Sequence, residues 1–191
     1  MTETMTLQGF RLSPQQRRAW QMQQDSAVRV SQSLVRLDGD LDAAALAASL
    51  DEVVRRHEIL RTAFQRVPGL KVPVQVVTEP APVILDQVDL TDHVEPEAEV
   101  DRAVGLDRQR PCDLGEGNPL RATLFRLGER DHRLLLSLAP VCADSATLRN
   151  LVREIAQSYA ARLEAAEAGP DSMQYADFSE WQNDWLEGVE A

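Results

Sequence analysis

Apolar and polar positions change their period several times along the 191 residues, and each change marks an element. Ser13-Pro14-Gln15-Gln16 carries an N-capping serine, a proline at the first helical position and a glutamine at the third, which is the pattern of a capping box. A short helix bearing Trp20 is expected from there to about residue 24. Residues 28–37, VRVSQSLVRL, alternate as a strand does and stop at Gly39. From Asp42 onward Leu46, Leu50, Val53, Val54 and His57 fall at i, i+4, i+7, i+8 and i+11, the stripe of an amphipathic helix.

Residues 60–64 and 72–77 read as two strands joined across Pro68-Gly69. Residues 80–101 mix a short apolar stretch with acids, and residues 96–110 read as a helix. Residues 119–126 and 133–141 read as paired strands around a turn at 128–131. Beyond Asp144, the spacing of Leu148, Leu151, Val152, Ile155, Tyr159 and Leu163 marks a helix of about five turns that ends before Gly169-Pro170. A last segment, 175–186, sets Phe178, Trp181 and Trp185 three and four apart. The order α, β, α, β, β, α, β, β, α, α, with no internal repeat and no low-complexity linker, predicts an α/β or α+β fold built in layers.

Composition narrows what such a fold does. The length suits one domain, and 43 % hydrophobic with 27 % charged residues is enough apolar material for a core. Twenty Lys and Arg against 31 Asp and Glu leave a net charge of −11, which repels nucleic-acid phosphates and anionic membrane surfaces. The excess is uneven: ten basic and nine acidic residues precede position 81, and ten basic and 22 acidic ones follow. Residues 86–101 hold seven acids and residues 164–191 eight, neither with a Lys or Arg. Such runs read as solvated faces or tails, or as docking surfaces for a basic partner. Two cysteines, Cys112 and Cys142, and three histidines give neither a zinc-finger spacing nor a disulfide framework. The start of the chain lacks a leader pattern and the most apolar run, 134–143, is far short of a membrane span, so a reduced, cytoplasmic, soluble protein is expected.

Several segments together resemble the condensation domains of nonribosomal peptide synthetases. The opening LSPQQRRAW matches that family's first motif, S-x-A-Q-x-R-L/M-W, through Ser13, Gln16, Arg18 and Trp20, with Gln15 in place of alanine. Arg56-His57-Glu58-Ile59-Leu60-Arg61-Thr62-Ala63-Phe64 matches the second, R-H-E-x-L-R-T-x-F, at every fixed position. The segments PCDLGEGNPLRATLF and YADFSEWQNDWL also resemble family segments. The resemblance implies an α+β layered sandwich, a chloramphenicol-acetyltransferase-like half-domain whose mixed sheet is covered by helices. It also implies two lobes in a complete domain, of which residues 1–170 would be the N-terminal one, with residues 171–191 a terminal helix or linker towards a missing second lobe or next domain.

The family's chemistry sits in a third motif, H-H-x-x-x-D-G, and the aligned residues here are Ala139, Pro140, Val141, Cys142, Ala143, Asp144 and Ser145. The second histidine, which the family is thought to use to deprotonate or position an acceptor amine, is replaced by Pro140, a side chain that can neither titrate nor hydrogen-bond. No catalytic residue is therefore assigned. Asp144 alone survives, with a structural role: an N-cap carboxylate, with or without an arginine partner, for which Arg18, Arg61 or an arginine of a missing lobe are candidates. His57 reads as a buried, hydrogen-bonded packing histidine, Arg61 as a fold-holding ion pair, and Cys142 as a buried apolar thiol rather than a substitute nucleophile. Trp181 and Trp185 read most simply as packing residues of a terminal helix, or as cover for surface facing an absent lobe.

By resemblance, then, the expected function is that of a catalytically inactive condensation-like unit serving as a scaffold. Its partners would be a carrier protein, which bears the phosphopantetheine, an adjacent adenylation domain or a tailoring enzyme. No cofactor or metal is expected on the chain itself, and self-association stays open. The alternative is one lobe of an enzyme that forms amide bonds between carrier-bound thioesters, active only with a second lobe or excised from a larger synthetase.

Overall fold

The computed structural model describes residues 9–25, 30–112, 114–164 and 173–189. Helices α1 (Pro14–Asp25), α2 (Ala43–Arg56), α3 (Pro96–Gln109), α4 (Ser145–Leu163) and α5 (Tyr175–Val189) accompany strands β1 (Ser31–Asp38), β2 (Thr62–Gln65), β3 (Val74–Val77), β4 (Leu85–Asp89), β5 (Leu120–Arg126) and β6 (Asp131–Leu138). A 3-10 turn, Glu58–Arg61, joins α2 to β2.

Alternation along β5 and β6 makes a two-faced sheet. Its order is β1-β6-β5-β4; β1, β6 and β5 run antiparallel, and β4 lies parallel to β5. Leu120, Ala122 and Leu124 of β5 join Leu134, Leu136 and Leu138 of β6 in one core with Leu46, Leu50, Val53 and Val54 of α2 and Leu148, Leu151 and Ile155 of α4. The opposite residues of the same strands meet α3: Phe125 and Leu135 pack with Val100 and Leu90. Beside them Asp107 of α3 accepts hydrogen bonds from Arg121 Nε at 2.9 Å, Ser137 Oγ at 2.5 Å and Gln32 Nε2 at 2.9 Å. Burial pushes the Asp107 carboxyl up, but these donors outweigh it and hold the group below the usual carboxylate range.

The expected hairpin forms as β2 and β3, antiparallel, with Phe10 bridged to Gln75 at its edge. The strand expected from residue 60 begins at 62, because 58–61 close the 3-10 turn first. Strand β4 has no counterpart in the sequence pattern. Four of its five residues are exposed, so LDQVD carries no alternation to signal a strand; it is held by its pairing with β5 and by Leu85 against the core. Residues 26–29, which include the expected start of the first strand, and 165–172, which include the expected lobe boundary, lie outside the described residues.

Helix α5 is mounted against the usual logic of an amphipathic helix. Its inner side is Ala176, Ser179 and Asn183, 4 %, 0 % and 3 % exposed, whereas Trp181 and Trp185 are 61 % and 58 % exposed. The two indoles thus stand mostly exposed rather than packed into the core of the described residues. No described helix is long and apolar enough to cross a membrane.

Candidate functional site

The capping box at the start of α1 forms reciprocally. Gln16 N donates to Ser13 Oγ at 3.1 Å and Ser13 N to Gln16 Oε1 at 3.0 Å. Ser13 Oγ also pairs with Tyr175 Oη at 2.9 Å, and Gln16 Nε2 donates to Gln75 Oε1 at 2.7 Å, so the box ties α1 to α5 and to the hairpin. One turn further on, Trp20 stacks on Phe64 with ring centroids 6.2 Å apart. Arg18 is exposed and makes no described contact with Asp144.

The chain from Arg56 to Phe64 wraps the end of α2, and its charged side chains are all engaged. His57 Nε2 meets Glu154 Oε2 of α4 at 2.6 Å, and Arg56 reaches Glu52 at 3.2 Å and Glu154 at 3.7 Å. Arg61 Nη1 donates to the Thr78 carbonyl at 2.5 Å and Nη2 lies 3.4 Å from Glu58. In return the Arg61 carbonyl accepts from Thr78 N and Oγ1. Gly117 presses on the same threonine: a Cβ there would lie 2.7 Å from Thr78, and its φ of +78° favours glycine. Arg61 therefore clamps the 3-10 turn to the segment that leaves β3, and it is not a partner for Asp144.

Residues 139–145 turn from β6 into α4. The amides of Cys142 and Ala143 both donate to the Ala139 carbonyl, closing a tight turn whose second residue, Pro140, needs no donor. Ala139, Val141, Cys142 and Ala143 are buried, Ser145 is exposed, and Ser31 Oγ donates to the Ala143 carbonyl at 2.9 Å. Asp144 caps α4: its carboxylate accepts from Thr147 N at 2.7 Å and Thr147 Oγ1 at 2.8 Å. The Thr147 amide, then its hydroxyl, hold this carboxyl below the usual carboxylate range. No arginine of the described residues forms an ion pair with it.

Two adjoining cavities lie over these segments. One of about 350 Å³ is bordered by His57, Glu154, Asn150 and Met173. The other, about 410 Å³, is bordered by Pro140, Cys142, Asp144, Gln15 and Gln16. Ile59, Thr147, Tyr175 and Phe178 border both. The ring of Pro140 borders the second cavity and has no proton to exchange. Burial, with Cys112 nearby, pushes the Cys142 thiol far above its ordinary value, so the thiolate that a nucleophile needs is suppressed. Among the described residues no group of three or more His, Cys, Asp or Glu is placed to hold a metal ion. Glu154 is the site residue that sequence reading missed. It lies 97 residues from His57, and no local pattern links them.

A protein-family model described as "Condensation domain" matches residues 7–190. Chondramide synthase cmdD of Chondromyces crocatus is 39 % identical over 182 residues, which cover 91 % of this chain and 5 % of that protein. Isonitrile lipopeptide synthase of Mycobacterium tuberculosis is 36 % identical over 182 residues, covering 92 % and 7 %. Among solved structures, the first condensation domain of the calcium-dependent antibiotic synthetase, in complex with substrate analogue 2a, matches with a TM-score of 0.86 at 24 % identity. That match covers 95 % of this chain and 44 % of the other. The X-domain in its complex with OxyB from teicoplanin biosynthesis matches with a TM-score of 0.79 at 31 % identity, covering 100 % and 40 %. The chain thus spans less than half of these solved chains and a few per cent of these curated relatives.

Proposed function

The chain belongs to the condensation-domain family, and we propose that within it the chain is a catalytically silent unit that docks other components of a peptide-synthetase assembly line in the cytoplasm. Its partners are a carrier protein, a neighbouring adenylation domain or a tailoring enzyme, and the phosphopantetheine belongs to the carrier. The observation that carries this reading is Pro140, set at the wall of the cavity where the family's motif would place a histidine. General base catalysis there has no group to perform it. The charged side chains around the cavities are engaged in holding the fold: His57 with Glu154, Arg61 with Thr78, and Asp144 with the first turn of α4. The match to the X-domain, which was solved in complex with OxyB, supports the tailoring-enzyme branch by analogy.

Two measurements on the whole chain test the reading. Chemical crosslinking to carrier, adenylation and tailoring proteins of the same pathway is expected to capture at least one of them; capture of none overturns it. A condensation assay with carrier-bound thioesters is expected to give no amide product, with Pro140→His unchanged. Product formation that Asp144→Ala or Cys142→Ala abolishes would establish the alternative, a lobe that forms amide bonds when a second lobe completes it.

A further inference from the structure

We propose that the outward face of α5 is a docking helix for a protein groove that is apolar at its floor and rimmed by Arg and Lys. This deepens the interaction-unit reading and rests on it. A helix on a globular protein normally buries its apolar stripe and shows its polar side to water. In α5 the sides are exchanged. Ser179 Oγ donates to the Arg11 carbonyl at 2.6 Å, and Asn183 Nδ2 donates to the Leu12 carbonyl at 3.1 Å, so small and polar groups fasten the helix to the body. Outside, Trp181, Trp185 and Leu186 are exposed, and the Trp181 ring rests at 5.9 Å on Phe178, a half-buried residue that borders the two cavities. The exposed Trp181 and Trp185 stand at i and i+4, an anchor spacing by which a helix lies in a groove. Large exposed aromatics held on a rigid helix are the composition of an interface core.

Charge selects the occupant. Helix α5 contains Asp177, Glu180, Asp184 and Glu187 and no Lys or Arg. Among the described ion pairs, Arg11 is the cation that meets these acids, and it is shared among Glu180 at 2.7 Å, Glu187 at 2.8 Å and Asp184. Two copies of α5 face to face would set acid against acid, with that one arginine already engaged on each copy, which disfavours a second copy of this chain. A partner with Arg or Lys flanking an apolar floor answers both the stripe and the acids.

The probe is a fluorescein-labelled amphipathic Leu/Lys helical peptide, titrated with the whole chain and read by anisotropy. Ser/Lys and Leu/Glu peptides of the same pattern are the controls. The Leu/Lys peptide is expected to bind, and Trp181→Ser with Trp185→Ser to weaken it by about tenfold or more. Both residues are over half exposed, and an unchanged far-ultraviolet circular dichroism spectrum confirms that the variant folds. Equal binding of the Ser/Lys peptide, equal binding of the Leu/Glu peptide, or no effect of the double substitution would each overturn the proposal. So would a concentration-dependent dimer in sedimentation that the substitution abolishes, since the occupant would then be a second copy. In the crosslinking experiment above, capture by the parent and not by the variant supports this surface. Equal capture by both removes the surface and leaves the functional reading standing. Capture by neither removes the functional reading, and the peptide titration then decides the surface alone.

Discussion

Residues 56–64 and residues 139–145 border the same pair of cavities, yet they hold their places by opposite means. In the first segment the basic side chains reach across to other elements: Arg56 and His57 to Glu154 of α4, and Arg61 to Thr78 beyond β3. In the second, Ala139, Val141, Cys142 and Ala143 are buried apolar residues, and Asp144 turns back onto its own helix. The difference teaches that residues 56–64 are fastened by charged side chains reaching other elements, whereas residues 139–145 are held by apolar packing and their own turn. A proline in the third segment costs nothing in hydrogen bonds, because the turn asks its second residue for no donor. A comparable loss in residues 56–64 would unfasten the end of α2 from α4, or the 3-10 turn from the segment after β3.

The sharpest way to break that contrast is to cut the fastening. Arg61→Ala removes the bond to the Thr78 carbonyl and the pairing with Glu58 from a site where the arginine side chain is only 16 % exposed. A hydrogen bond from a charged group contributes about 1.5–3 kcal/mol, so urea unfolding is expected to show a loss of about 2–3 kcal/mol. Pro140→Ala, the matching change in the other segment, is expected to move stability by no more than about 1 kcal/mol. If the two losses came out equal, the contrast between fastening and filler would fail.

A smaller effect tests whether His57 acts through Glu154 or merely packs. His57→Ala, Glu154→Ala and the double variant form a cycle, and the coupling energy is expected to be about 1–2 kcal/mol, within the range for residues in direct contact. A cycle that closes at zero would reduce His57 to packing. Arg56 also approaches Glu154, at 3.7 Å, so repeating the cycle in an Arg56→Ala background separates the two claims on that carboxylate.

How much of this is legible in the sequence follows from how local each signal is. The capping box at Ser13 and Gln16, the stripe of α2 from Leu46 to Val54 and the cap at Asp144 are set by neighbours within a turn, and the sequence displays them. Pro140, which by resemblance stands where the family's motif has a histidine, is likewise visible in the sequence. Strand β4 is not, because a strand paired with one neighbour and exposed on four of five residues needs no alternation. The His57–Glu154 pair and the three-way contact of Arg11 with α5 join residues 97 and more than 160 positions apart, so only the packed layers bring them together. The outward aromatic face of α5 is misleading for a related reason. The spacing of Phe178, Trp181 and Trp185 reveals an apolar stripe, but not which way the stripe points; that is set by Ser179 and Asn183 bonding to the backbone of Arg11 and Leu12.

The smallest effect concerns the single ionisable residue that the third segment keeps from its motif. Asp144 binds the first turn of α4 through Thr147, so Asp144→Ala is expected to cost about 1 kcal/mol, the ordinary worth of an N-cap. Asp144→Asn, which still accepts from the Thr147 amide, is expected to lose only a few tenths of a kcal/mol. The two variants also differ with pH, and the sign follows from the carboxyl being held below its usual range by that amide. A carboxyl with a lowered native pKa adds stability above its unfolded value, about 3.9, and loses it as pH falls through the native value. The parent's advantage over Asp144→Ala is therefore expected to be constant near neutrality and to shrink in acid, whereas that of Asp144→Asn over Asp144→Ala stays flat. Were Asp144 paired instead with an arginine, the asparagine variant would fall with the alanine one at neutral pH, and thermal unfolding of the three proteins across that range distinguishes the two.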